Sequence, residues 1–427
     1  MVTKIIIVFL VVALGFAGGA AVLFWMEIQE FEPEVYHYVP QERSFIYQVE
    51  DGAGYGFEEY IKDKINTEKA RLIDQKRNFI YVDLHEMELI LYKEGEVFEN
   101  FEVKSKGKEG SFWETSPGAY FVGDKVVRHF STVSRVWMPY AIQFYGNFFI
   151  HGWPYDNLGR SLSLGPSGGC IRLLTADAAI VYEFAERGMP ILVFEKKPSS
   201  ILPALLPSKE EIIFPELSGQ SVIAADLATG EIILSKDIYS EIHAGVVARG
   251  ILALAASEIV SLERRMMARS WMIEDTREGI IVPNRSYSLQ ELIGPLLGRA
   301  SREAALVLSR FFTEEYFLGA MNAKARAIGM DNTVFVDVAG ISQDNTTTLF
   351  DAARMMRYIK DYRGFLFNIS DQWPSRGSGN KEAVFKILKA EHKQIPRSVF
   401  IGIADSEDAL VDLENIIIWL REELDLK

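Results

Sequence analysis

The chain has 427 residues, 48% of them hydrophobic, with 45 Lys and Arg against 59 Asp and Glu and a formal net charge of -14. That length and apolar content suit two globular units plus extras, and the acidic balance without a clustered Lys/Arg run excludes a nucleic-acid partner. Cys170 stands alone, so no intramolecular disulfide forms and packing must hold the fold in either redox compartment.

After Lys4, residues Ile5 to Met26 are apolar without interruption, enough at about 1.5 Å per residue to cross roughly 30 Å of hydrocarbon. Residues 1–26 therefore read as one N-terminal transmembrane helix. Lys4 on one side, with Glu27, Glu30, Glu32 and Glu34 on the other, places the rest of the chain on the extracytoplasmic side of a cell membrane. A cleaved signal peptide with small residues at Gly18 to Ala21 is the alternative, although the apolar run continues through Val22 to Met26. Residues 27–76 read as a stalk, charged and aromatic at first and then a short helix through EEYIKDKINTEKARLIDQ.

Residues 77–195 change character. NFIYVDLHEMELILYKEGEVFENFEV carries β-branched and aromatic runs broken at Glu94-Gly95, a hairpin signature with His85 on its surface, and Ser116-Pro117-Gly118 marks a further turn. More short strands run to FFIHG, LLTADAAIVYEFAERG reads as a helix with Thr175 as N-cap and Gly188 past its end, and PILVFE closes the unit. The proline- and serine-containing stretch 196–213 is the linker. Residues 214–427 then show two strands around a Thr-Gly turn, long helical stretches, and a final strand and helix, which is an α+β pattern.

The chemistry concentrates in IHGWPYDNLGRSLSLGPSGGCIRLL. A thiol attacks as thiolate, a minor form near neutrality because free cysteine titrates near ~8.5, so it needs a base such as His151 to take its proton. Gly168 and Gly169 before Cys170 permit a tight turn that aims backbone N–H groups at an oxyanion, and Arg172 offers a fork for a carboxylate. Singly, each residue reads as readily as a buried small hydrophobe, a hydrogen-bonded histidine or a structural arginine.

Together they resemble the signature of L,D-transpeptidases, in which a His-Gly pair (here His151-Gly152) is followed by a Ser/Thr-His-Gly-Cys-hydrophobic-Arg run, here Ser167, Gly168, Gly169, Cys170, Ile171, Arg172. The resemblance extends over about 78–195 through the opening strands, ETSPGAYFV and VWMPYAIQFYGNFFIHG. It implies a mainly-β domain whose Cys170 attacks a carbonyl of a peptidoglycan stem peptide and forms an acyl-enzyme. His151 would be base and then acid, with Gly169 and Cys170 amides at the oxyanion and Ser167, Gly152 and Arg172 around it. Trp137, Met138 and Tyr140 would line the approach. No cofactor and no metal is required. The chain departs from the family at Gly168, where a second histidine is usual; His129 is the other histidine nearby.

Residues 216 to about 427 resemble D-alanyl-D-alanine carboxypeptidases of the penicillin-binding, β-lactamase-like class through AADLATGEIILSKD, YSLQELIGPLL, MNAKARAIGMDNTVFVDVAGI and TTLFDAARMMRYI. Such enzymes need Ser-x-x-Lys, Ser-x-Asn and Lys-Thr-Gly. The corresponding positions here read Gly245, Val246, Val247, Ala248 and Ala300, Ser301, Arg302, with no Lys-Ser/Thr-Gly in the closing region. The expectation is a non-catalytic module that binds stem peptides, contacts a protein partner or regulates the first domain. Recruitment of Ser240 or Ser257 as a new nucleophile lacks a neighbouring base. The chain thus reads as a membrane-anchored transpeptidase or, alternatively, as a non-catalytic envelope binding protein.

Overall fold

A computed structural model describes residues 60–427 except 164, 198–204, 206–214, 275, 277, 370–382 and 425. The apolar segment Ile5 to Met26, most of the 196–213 linker and the stretch 370–382 lie outside the described residues. Among the described residues, no helix is long and apolar enough to cross a membrane.

The chain opens with α1 (Tyr60–Asp74), then β1 (Phe79–Asp83), β2 (Glu88–Lys93), β3 (Glu96–Glu102), β4 (Gly118–Phe121), β5 (Lys125–Ser131), β6 (Val136–Tyr145), β7 (Phe148–His151), β8 (Ile171–Arg172), α2 (Thr175–Phe184) and β9 (Pro190–Phe194). Two sheets result, in the orders β3-β2-β1-β9-β4 and β5-β6-β7-β8. The Glu94-Gly95 hairpin joins β2 to β3 as expected. Strand β1 is buried and apolar from Phe79 to Val82 because it is covered on both faces, and only Asp83 at its end is charged. Its alternating side chains divide between two cores: Ile80 and Val82 enter the core shared by the two sheets, and Phe79 and Tyr81 enter a core continuous with the second half of the chain.

Four local expectations change. Helix α1 is not a free stalk, because Ile65 and Leu72 are buried in that continuous core. Leu174 occupies the N-cap of α2 without a side-chain bond, so Thr175 is the first helical residue. Ser116-Pro117-Gly118 makes no turn; it is extended, buried backbone leading into β4. His85 lies in the exposed β1–β2 turn rather than on a strand.

The second half contains β10 (Ser221–Asp226), β11 (Ile232–Lys236), β12 (Ile242–His243), α3 (Gly245–Ile259), β13 (Arg265–Met267), α4 (Ser270–Ile273), β14 (Ser286–Ser288), α5 (Leu289–Gly298) and α6 (Arg302–Arg310). It continues through α7 (Glu314–Ala327), β15 (Thr346–Thr347), α8 (Leu349–Tyr362), α9 (Leu366–Ile369), β16 (Val384–His392), β17 (Ile395–Ala404) and α10 (Ala409–Leu424). The sheet β11-β10-β17-β16 is antiparallel, and α3 is buried along its whole length. This is the α+β layering that the pattern of strands and helices predicts.

The two halves meet around buried charges. Glu258 on α3 pairs with Lys324 of α7 at 2.6 Å and with Arg363 at 3.0 Å, all three side chains being fully enclosed. Ser116 reaches in from the first half: it donates to Glu258 at 2.9 Å and accepts from Lys324 at 2.6 Å, with the Tyr358 hydroxyl 2.6 Å away. One hydroxyl has one proton to give and two lone pairs to fill, so Ser116 is saturated.

Burial lowers Lys324 to about 8, with Glu258 opposing that shift. An unfolded lysine titrates near ~10.4, so between these values the unfolded chain holds the extra proton and stability rises with pH. In denaturant titrations, wild type should gain stability relative to Lys324→Met as pH goes from about 7 to about 9.5. A constant difference between the two proteins would contradict this reading.

Candidate active site

The sheet β5-β6-β7-β8 sorts its side chains by alternation. Ile142, Phe144, Ile150 and Ile171 face the domain core, whereas Val136, Met138, Ala141 and Phe149 form a small cluster with Cys170 on the other face. His151, two residues beyond Phe149, shares that face, and its register partner across to β8 is Arg172. Cys170 immediately precedes β8, so cysteine, histidine and arginine converge at one sheet edge from residues distant in sequence. His129 is paired in register with Met138, and its ring stacks on Phe149 with centroids 4.8 Å apart. The second histidine thus belongs to the same face.

Of the three residues expected along the approach, Met138 alone packs with Cys170. Tyr140 adopts a left-handed backbone, φ 53°, which shifts the alternation so that Ala141 takes the site-facing position; Tyr140 instead meets Tyr182 of α2. Trp137 is engaged elsewhere, donating from Nε1 to Asn157 at 2.9 Å beneath the Arg128 guanidinium.

The turn before Cys170 is tied internally. Ser167 Oγ donates to the Cys170 carbonyl at 2.5 Å and accepts from the Gly169 amide at 3.1 Å. The expected oxyanion role of the Gly169 amide is therefore not available in this conformation, because Ser167 holds that donor. Gly169 has φ 98°, and a Cβ there would lie 2.2 Å from the Phe148 ring. Gly168 is different: a Cβ would meet Ser134 Oγ at 3.8 Å and Trp113 at 3.9 Å, ordinary contact distances.

Both reactive groups are neutral at pH 7. Burial pushes the Cys170 thiol up to about 11, opposed by the Phe149 backbone amide and by Arg172. Burial lowers His151 to about 4. His151 Nδ1 lies 2.6 Å from the Gly152 carbonyl, which fixes the single imidazole proton on Nδ1 and leaves Nε2 as the acceptor. Among the described residues, the thiol donates to the Asn147 carbonyl at 3.6 Å rather than to His151. Arg172 is buried and bonded to the Gly165 carbonyl at 3.3 Å, and among the described residues its enclosed Nε has no hydrogen-bond partner.

In the second half, the expected serine-nucleophile position is occupied by Gly245 in a crowded setting. A Cβ on Gly245 would come 2.9 Å from the His243 ring and 3.1 Å from the Gly340 carbonyl. Ser301 is fully buried as the N-cap of α6, accepting from Ala304 N and donating to Glu278. Ser257 donates to the Leu254 carbonyl of its own helix, and Ser240 is exposed in a turn.

Sequence reasoning missed Asn147. A polar residue in a Gly-Asn turn carries no catalytic signal, and only folding reveals that its carbonyl meets a thiol 23 positions away. Gly169→Ala would force both a strained backbone and a clash with Phe148, so a loss of about 1–3 kcal/mol in denaturant titration is expected. Unchanged stability would mean the turn relaxes freely.

Residues 77–193 match the family described as L,D-transpeptidase catalytic domain, and residues 208–372 match D-alanyl-D-alanine carboxypeptidase. A D-alanyl-D-alanine endopeptidase of Escherichia coli is 29% identical over 160 residues, covering 35% of this chain and 49% of the relative. The chain therefore spans about half the length of that curated relative. Among solved structures, a D-alanyl-D-alanine carboxypeptidase from Mycobacterium tuberculosis is 18% identical, with 50% of this chain and 94% of that chain covered and a TM-score of 0.42. An L,D-transpeptidase from Stackebrandtia nassauensis is 27% identical, with 32% and 68% covered and a TM-score of 0.25. The chain carries an L,D-transpeptidase catalytic domain followed by a D-alanyl-D-alanine carboxypeptidase domain.

Proposed function

We propose that this protein is a cysteine L,D-transpeptidase that remodels peptidoglycan stem peptides through an acyl-enzyme on Cys170. The observation that carries this reading is the convergence of Cys170, His151 and Arg172 at one edge of the β5–β8 sheet, inside the segment matching the transpeptidase family. His151 Nε2 takes the thiol proton as Sγ attacks the carbonyl carbon of the donor stem. The tetrahedral oxyanion collapses, the amine leaves with the proton from His151, and a thioester remains. An acceptor amine or water, deprotonated by His151, then attacks the thioester; the second tetrahedral intermediate collapses by breaking the C–S bond, and His151 returns the proton to Sγ. Arg172 holds a carboxylate of the stem.

The second domain is read as non-catalytic, since Gly245 bears no nucleophile and a side chain there would crowd His243 and the Gly340 carbonyl. The segment Ile5 to Met26 is proposed as a single-pass membrane anchor with both domains on the extracytoplasmic side. A second reading, an envelope protein that binds stem peptides without turnover, is favoured by the neutral thiol pointing at Asn147 and by Gly168.

Mass spectrometry of wall fragments incubated with residues 60–427 separates the two. The transpeptidase reading expects a new cross-link or a trimmed stem that disappears in Cys170→Ala and His151→Ala, each at least about 1000-fold slower while still folded. Turnover retained by Cys170→Ala would end it. A Cβ at Gly168 makes only ordinary contact with Ser134 and Trp113, so the backbone tolerates Gly168→His, and a second imidazole there should raise the acylation rate by about tenfold or more. A slower variant would show that the site is built around the glycine.

A further inference from the structure

The second domain touches the transpeptidase site from behind. The C-terminal end of α3 meets the β6–β7 turn: the Asn147 side-chain amide donates to the Ile259 carbonyl, and Gly146 packs against Ile259 and Glu258 so closely that a Cβ would lie 2.8 Å from Ile259 Cγ1. The same Asn147 supplies, through its backbone carbonyl, the acceptor for the Cys170 thiol. A single residue thus bridges the second domain and the sulfur atom.

A parallel route runs through Arg363. Its guanidinium donates to the Glu114 carbonyl at 3.1 Å while paired with Glu258, and lies 6.0 Å from the Phe148 ring centroid. Phe148 is the ring that backs Gly169, next to the nucleophile. Phe365, two residues on, meets Phe112 with centroids 5.5 Å apart. Phe112 adjoins Trp113, which flanks Gly168. Both walls behind the cysteine turn, the 112–118 segment and the 146–148 turn, therefore rest on the second domain.

We propose that the carboxypeptidase-like domain serves as a positioning scaffold for the transpeptidase site, with the α3 terminus holding Asn147, and through it the Cys170 thiol, in place. Asn147 is a positioning residue: its side chain is gripped from outside while its carbonyl orients the nucleophile. The proposal rests on the reading of Cys170 as nucleophile, but its geometry concerns the thiol alone.

Alkylation of Cys170 by iodoacetamide as a function of pH, followed by mass spectrometry on the 60–427 protein, tests it without requiring turnover. Asn147 is exposed, and Asn147→Ala removes the grip while leaving the backbone carbonyl. The freed turn admits water to a thiol that burial now keeps protonated. The alkylation midpoint should fall by about one pH unit, making the thiol about tenfold more reactive near neutrality, with the thermal midpoint of unfolding little changed. Asn147→Asp, which sets a carboxylate against the Ile259 carbonyl, should shift the same way. Lys64→Ala breaks the Lys64–Asp331 contact, which also joins the two halves but away from the site, and should leave the alkylation profile unchanged. An unmoved midpoint in both Asn147 variants, or an equal shift in Lys64→Ala, overturns the proposal. An inactive wild-type protein would defeat the transpeptidase reading and leave this comparison intact.

Discussion

The buried carboxylate of Glu258 is the constraint around which the molecule is arranged. It lies near the end of a helix with its side chain fully enclosed, so two cations and a hydroxyl must come to it: Lys324 and Arg363 from its own domain, and Ser116 from the other. Such clusters add little net stability, because desolvation offsets most of the attraction, yet losing one partner costs about 3–5 kcal/mol. What the cluster provides is a unique docking geometry. Ser116 has one place where its proton and both lone pairs are met, and the adjoining Pro117, Gly118 and β4 are fixed with it.

That anchoring explains why the strands β1, β2 and β9 carry apolar side chains on both faces. Phe79, Tyr81, Tyr92 and Leu192 project away from the domain's own core into one shared with α1 and the helices of the second domain. At roughly 25 cal/mol per Å² of apolar surface buried, these four side chains are a large contribution. The two halves are therefore separate in family terms and continuous in packing terms.

Much of this was legible in the sequence. The β-branched and aromatic runs of β1 and β2, the Glu94-Gly95 hairpin and the Cys170, His151, Arg172 set follow from local pattern and motif. What was not legible depends on contacts between residues far apart in the chain. Ser116-Pro117-Gly118 reads as a turn because its residues favour turns; the structure holds it extended because Glu258 and Tyr358 capture the hydroxyl. Tyr140 reads as sharing a face with Met138, and a single left-handed residue reverses that assignment. The Gly169 amide reads as an oxyanion donor until Ser167 is seen to occupy it.

The glycines 245 and 340 constrain one another. At Gly340 a Cβ would lie 2.6 Å from the Gly245 carbonyl, and at Gly245 one would lie 3.1 Å from the Gly340 carbonyl, so the two backbones approach more closely than side chains at both positions would allow. A larger residue at 340 would push directly on the head of α3, whereas one at 245 would ask the opposing loop to give by a few tenths of an ångström. Two segments nearly a hundred residues apart are thereby held in contact, and the start of α3 is clamped to the loop before β15.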